Sequence, residues 1–218
     1  MRRIIVGAFV SLDGVMQAPG GPDEDPTGGF AFGGWTADKW DDVMGAAMGG
    51  LFDKPFALLL GRKTYDIFAA HWPYQKDDPI GVAFGAARKY VATRNHQFKL
   101  TWENSETLGD DVVASLRALK KQDGPDLLVQ GSTNLLRTLF SNDLVDELNL
   151  LTFPIVLGKG KKLFADDAAP GQFTLTESQT STTGVIIARY KRAGAVTTGT
   201  FVTQPPSEAE LERRRTLV

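Results

Sequence analysis

Three short stretches place groups that bind anions directly after apolar runs. In Gly61-Arg62-Lys63-Thr64, which follows "PFALLL", the glycine permits close backbone approach, and Arg62 and Thr64 offer donors to phosphate. Thr93 and Arg94 end the run "KYVA". Gln130-Gly131-Ser132-Thr133-Asn134 follows "DLLV" and again reads as strand, glycine and helix start. Each can be read singly as turn punctuation or a plain N-cap. Three strand-end junctions in one domain fit a dinucleotide with three phosphates, with amides for the pyrophosphate and arginines for a third phosphate group.

Other chemistries lack their residues. The G-x-G-x-x-G fingerprint is absent after the first apolar run, and neither G-x-S-x-G nor a P-loop occurs. The chain has no Cys and only His71 and His96, so neither a disulfide framework nor a thiolate or His-cluster metal site is expected. Absence of Cys is compatible with a reducing cytoplasm. Lys and Arg number 24 against 26 acidic residues, a formal charge of -2, which gives no global field for nucleic acid or an anionic membrane. No run of eighteen apolar residues occurs, so no membrane span is expected. Met1-Arg2-Arg3 before "IIVGAFV" reads as the edge of a first strand rather than a secretory leader, since no cleavage site follows and Asp13 arrives at once.

The elements that must position these groups alternate. "RRIIVGAFVSL", "PFALLL", "KYVAT", "DLLVQ" and "DELNLLTFPIVLG" read as strands, and the nearly continuous apolar runs among them suit strands buried on both faces. A helix is expected from about Thr36, with Trp40, Val43, Met44, Ala47, Met48 and Leu51 on one stripe. Others are expected at "TYDIF", "DDVVASLRALKK" and "TNLLRTLF". "QFTLTESQT" and "GVIIARYKR" read as a terminal antiparallel pair. The pattern predicts an α/β protein with a mostly parallel sheet and an antiparallel C-terminal hairpin. Residues 14 to 36 form a long Gly- and Pro-rich loop whose Phe30, Phe32 and Trp35 favour an ordered cover. From Ala193 the composition turns polar; residues 193–218 read as an appended tail, with Ser207 and Glu210 in a capping-box pattern.

"VSLDGVMQAPGG", "LLLGRKTYDIFAAHWP" and "LLVQGSTNLLRTLFSNDLVDELNLLTFPIVLGKGKKLF" resemble the dihydrofolate reductase-like family. The resemblance covers roughly residues 1–192 and is closer to stand-alone relatives of the reductase domain of the bifunctional riboflavin-biosynthesis deaminase/reductase. It implies a three-layer α/β/α fold, a homodimer and NADPH as cofactor. By the same resemblance Gly61, Arg62 and Thr64 hold phosphate, Thr93 and Arg94 surround the 2′-phosphate and adenosine, and Gly131, Ser132, Thr133 and Asn134 cradle the pyrophosphate. The implied activity is hydride transfer to a carbonyl or imine carbon of a pyrimidine/ribityl- or pterin-like substrate, as in 5-amino-6-(5-phosphoribosylamino)uracil reduction. A second reading is a non-catalytic nucleotide- or folate-like-ligand-binding module; a third is a flavin- or antifolate-binding protein.

Two features depart from that family's pattern or leave a choice. Gly131-Ser132 stands where dihydrofolate reductases carry a Gly-Gly with a cis peptide. Asp38, Asp41 and Asp42 all fall where those enzymes carry one acidic residue, and no spacing selects among them. Asp13 matches the "SLDG" beside the nicotinamide, though a tight turn is an equal reading. Asp13 and Asp38 are the candidates for proton supply or substrate grip, and Trp35 for a stacking wall.

Overall fold

Alternation of side-chain direction along each strand gives the central sheet two buried faces, and helices cover both. The computed structural model describes residues 1–217. The strands are β1 (Ile4–Ser11), β2 (Phe56–Gly61), β3 (Lys89–Ala92), β4 (Ser105–Thr107), β5 (Asp126–Val129), β6 (Glu147–Phe153), β7 (Gln172–Thr180) and β8 (Ile186–Gly194). They form one sheet in the order β4-β3-β2-β5-β1-β6-β8-β7. Pairing is parallel from β4 to β6, and β8 runs antiparallel to both β6 and β7.

On one face Ile4, Val6, Ala8 and Val10 of β1 pack with Leu116 and Leu119 of α4 (Val112–Lys121) and with Leu135, Leu136 and Leu139 of α5 (Thr133–Ser141). On the other, Leu58 and Leu60 of β2 meet Tyr65 of α2 (Arg62–His71) and Phe84 of α3 (Pro79–Ala86). Leu151 and Phe153 of β6 meet Met44 and Met48 of α1 (Asp42–Gly49) there. This is the expected three-layer α/β/α architecture. Each fully buried aliphatic side chain contributes about 1.5–3 kcal/mol.

The order of strands creates the place for a ligand. From β1 the chain steps outward through β2, β3 and β4, then returns to β5 and crosses to β6 on the far side of β1. A crevice opens at the carboxyl ends of the strands where such a sheet reverses.

Some elements differ from the sequence expectation. The helix expected from Thr36 is divided: Ala37–Lys39 form one 3-10 turn, the chain extends at Trp40, and α1 begins at Asp42. Asp41 causes the break, because its carboxylate caps α1 by accepting from the Met44 amide at 2.9 Å. The same carboxylate accepts from the amide and hydroxyl of Thr182 at 2.6 and 2.7 Å, tying α1 to the β7–β8 turn. β8 runs through Gly194, two residues past Arg192, and Gly194 pairs with Gln172. Beyond it, α6 (Glu208–Arg215) is capped by Ser207 and buries no residue. No helix among the described residues is long and apolar enough to cross a membrane.

Candidate functional site

A cleft of about 780 Å³ lies between the carboxyl ends of β1 and β5, the start of α2 and the long loop after β1. Phe9, Met16, Ile67, Phe68 and Trp72 give it apolar walls. Thr64, Gln130, Gly131, Ser132, Thr133 and Asn134 bring polar groups to one side, and Lys63, His71 and Lys161 bring nitrogen bases and cations. Apolar walls with a few convergent polar groups suit a flat heterocycle carrying anionic substituents.

The two junctions at β2 and β5 are built as one unit. The Gly61 amide donates to the Gly131 carbonyl at 3.1 Å. A Cβ on Gly61 would lie 2.1 Å from Ser132 Oγ, and one on Gly131, at φ +137°, would lie 2.7 Å from Thr64 Oγ1. Both positions therefore need glycine for close approach, and Gly131 also for its backbone conformation. The Gly131–Ser132 peptide is cis.

Four of the six α-helices among the described residues have a side chain on their first-turn amides: Asp41 on α1, Asp78 on α3, Asp111 on α4 and Ser207 on α6. The two without one are α2 and α5, and both begin at the cleft wall. Their first amides are left to solvent or a ligand, and the positive ends of both helices lie on the same cavity. Gln130 lines this wall, and its Nε2 is buried with no hydrogen-bond partner among the described residues. Uncapped amides at two helix starts, with the hydroxyl-bearing Thr64, Ser132 and Thr133 on the same wall, fit the phosphates of a dinucleotide.

The loop forming the opposite wall is held by Gln17, which is only 4% exposed. Its Nε2 donates to the carbonyls of Asp25 and Thr27, each at 2.9 Å, and its Oε1 accepts from the Lys161 amide at 3.0 Å. Trp35 Nε1 donates to the Gln17 carbonyl at 2.8 Å, and Thr36 Oγ1 to that of Pro19 at 2.7 Å. Lys161 is paired with Asp25. Burial pushes the Asp25 carboxyl up, but Lys161 and Thr27 outweigh it and hold it below the usual range. Glu24 Oε2 accepts from the Gly20 amide at 2.6 Å, and burial pushes its carboxyl up.

Of the residues singled out from sequence, Thr64, Gly131, Ser132, Thr133 and Asn134 share the cleft wall. Gly61 stands behind it, touching Ser132. Arg62 is at the start of α2, 2.5 Å from Asp66, and Thr93 and Arg94 follow β3 outside the wall. Asp13 accepts from Ser11 Oγ at 2.7 Å and from the Leu157 and Gly158 amides at 3.0 and 2.8 Å. These bonds, the serine's first, lower its carboxyl to about 2. Asp38 is exposed and paired with Lys39 at 2.5 Å. Trp35 is 9% exposed and stands edge-on to Phe153, its ring centroid 5.2 Å away. None of Asp13, Asp38 and Trp35 is part of the cleft wall.

Sequence reasoning did not single out Gln17, Glu24 and Lys161, and it named Gln130 in the third junction without giving it a role. Gln130 stood beside a glycine already singled out. Lys161 lies just past the run "DELNLLTFPIVLG" read as a strand, and nothing local in the sequence joins it to Gln17.

The model of the RibD C-terminal domain matches residues 2–187. The chain is 27% identical over 198 residues to the uncharacterised protein YyaP of Bacillus subtilis, covering 87% of this chain and 94% of that one. Among the solved structures that share its fold are two from different sources. One, a putative riboflavin biosynthesis protein from Shewanella sp. PV-4, superposes with a TM-score of 0.57 at 21% identity, over 88% of this chain and 99% of that one. The other is dihydrofolate reductase from Enterococcus faecalis complexed with NADP(H), with a TM-score of 0.55 at 13% identity, over 87% of this chain and 96% of that one.

Proposed function

The chain belongs to the RibD C-terminal domain family, and from that premise we propose that it is an NADPH-dependent reductase. Its substrate is a pyrimidine carrying a ribose-derived chain, or a pterin, reduced at a carbonyl or imine carbon. The observation that carries this reading is the pair of uncapped helices, α2 and α5, that begin on one apolar-walled cleft while the other four α-helices among the described residues are capped.

When bound, NADPH supplies the hydride. In this reading the amides at the start of α5 and the hydroxyls of Ser132 and Thr133 bind the pyrophosphate, with Thr64 and Asn134 flanking it. Arg94, exposed after β3, and Arg62 reach the additional phosphate on the adenosine ribose. Phe9, Met16, Phe68 and Trp72 exclude water around the reacting ring. Asp13 acts indirectly, fastening the Leu157–Gly158 segment that leads to Lys161. The polar chain beyond Gly194 takes no part, and the protein works as a homodimer.

Calorimetry with NADPH and NADH at matched salt tests the cofactor. NADPH is expected to bind more tightly, and Arg94→Ala to remove roughly 10- to 100-fold of that preference, as a charge-assisted phosphate contact does. Equal affinities overturn the assignment. NADPH binding without oxidation on dihydrofolate or a phosphoribosylaminouracil supports a binding module instead.

A further inference from the structure

Reduction of a C=N or C=O bond by hydride leaves a charge on the heteroatom, which must receive a proton. Three carboxyl groups line the cleft, all from the loop after β1: Asp23, Glu24 and Asp25. Asp25 is committed to Lys161 and Thr27. Asp23 is exposed. Glu24 is half-buried and fixed, its Oε2 held by the Gly20 amide and its own amide donating to Gly21 O at 3.3 Å, and unlike Asp25 it is not paired with Lys161.

The loop around it is not free to drift. A Cβ on Gly33 would meet Pro22 O at 2.4 Å and Gly21 O at 2.6 Å, so that strand of the loop packs directly on the Gly21–Pro22 backbone. The Gly34 amide donates to Ala18 O at 2.8 Å. With the Gln17 bonds, these contacts hold the Glu24 segment in place on the same cleft that the α5 start lines.

The geometry points to Glu24 as the residue that carries the proton for the reduction, an inference that rests on the reductase reading. The Glu24 O–H bond breaks and an N–H or O–H bond forms on the substrate heteroatom. The neighbouring carbon takes the hydride from the nicotinamide, which leaves oxidised. The carboxylate then regains a proton from solvent. Its surroundings favour the neutral acid: burial pushes the Glu24 carboxyl up and the Asp25 charge adds to this, while the Gly20 and Gly21 amides oppose it. The other ionisable groups on the cleft are Asp23, Lys161, and Lys63 and His71 from α2. Asp13 is unsuited to the task, since its bonds hold it ionised well below neutral pH.

Full-length wild type, Glu24→Gln and Glu24→Asp decide the matter with two readouts. In glutamate labelled with carbon-13 at the side-chain carboxyl, the Glu24 resonance is the one missing from Glu24→Gln. Its titration midpoint in the NADPH-loaded protein is expected above the ordinary 4.5, and a midpoint at or below that value overturns the assignment whatever the turnover. In NADPH oxidation with dihydrofolate or a phosphoribosylaminouracil, Glu24→Gln is expected to lose kcat by roughly 100- to 10,000-fold. NADPH affinity should be retained, Glu24→Asp should recover part of the rate, and the alkaline fall of the wild-type pH profile should vanish in Glu24→Gln. A Glu24→Gln protein with wild-type kcat and pH profile overturns Glu24 alone and leaves the reductase standing. Wild type that binds no NADPH overturns both. If NADPH binds and neither substrate turns over, the binding module stands, Glu24 has no reduction to serve, and the assignment is overturned together with the reductase reading.

Discussion

The amide of Gly61 donates to the carbonyl of Gly131 at 3.1 Å, and through that bond the ends of β2 and β5 are locked side by side. Seventy residues separate the two glycines in sequence, yet neither tolerates a Cβ because of the other's junction: Ser132 crowds Gly61 and Thr64 crowds Gly131. Two turns that look like independent punctuation are one packed contact under the uncapped starts of α2 and α5.

Gly61→Ala should therefore destabilise the protein by about 1–3 kcal/mol, the cost of forcing atoms into a filled space. It should also weaken NADPH binding, because Ser132 must move. Gly45→Ala is the control: Gly45 lies inside α1 with nothing within 4 Å of an added Cβ, and alanine there should stabilise by about 0.8–1 kcal/mol. Urea melts of both variants with calorimetry on NADPH check this. A Gly61→Ala protein as stable as wild type would show that the junction can relax.

Trp35 joins the core to the loop. Its ring packs on Phe153 and its Nε1 holds Gln17 O. Trp35→Ala should cost about 3–5 kcal/mol as a large-to-small core change. Trp35→Phe keeps most of the packing and loses the hydrogen bond, which costs about 0.5–1.5 kcal/mol. Because the ring is not on the cleft, folded Trp35→Phe should keep NADPH affinity, measured by calorimetry beside a thermal melt. A large loss of affinity with an unchanged melt would show that the ring reaches the ligand.

The parts of this fold that were legible are those whose cause is local. β1, β2 and β5 are buried on both faces and read as unbroken apolar runs. The boundary of α1 was missed because the apolar stripe continues through Trp40 while the Asp41 cap ends it, and that cap also serves Thr182, 141 residues away. α3 was not anticipated, being one short segment, "PIGVAFGA", with two glycines. In the site, glycine, serine and threonine after a strand could be recognised from chemistry alone. Glu24 could not, since three adjacent acids in "PDEDP" look alike until Gly33 packs on Pro22 and Lys161 takes Asp25.

Asp13 predicts how the protein responds to acid. Its folded value, about 2, lies below the ordinary 3.8, so its bonds to Ser11, Leu157 and Gly158 stabilise the fold above pH 3.8. That contribution falls away as pH drops from 3.8 through about 2. Asp13→Asn should be less stable than wild type at neutral pH, and the two should converge in acid. Urea midpoints across that range test it; a constant difference at all pH values would mean that the ionised carboxylate is not what holds Leu157 and Gly158.

Glu24 gives the opposite sign. Its carboxyl is pushed above its ordinary 4.5 by burial, so the contribution of this one group is fully present below 4.5 and is lost as pH rises through the folded value. Glu24→Gln has no charge to bury, and its Oε1 can still accept from the Gly20 amide. The variant should melt higher than wild type at neutral pH and lose that advantage at pH 4 and below. A carboxyl kept where an amide is more stable is the pattern expected when a site trades stability for activity. Thermal melts of the two proteins from acid to neutral pH check the sign without any substrate. Were Glu24→Gln less stable at neutral pH, the loop would be holding a carboxylate, and Glu24 could not be the acid that delivers the proton.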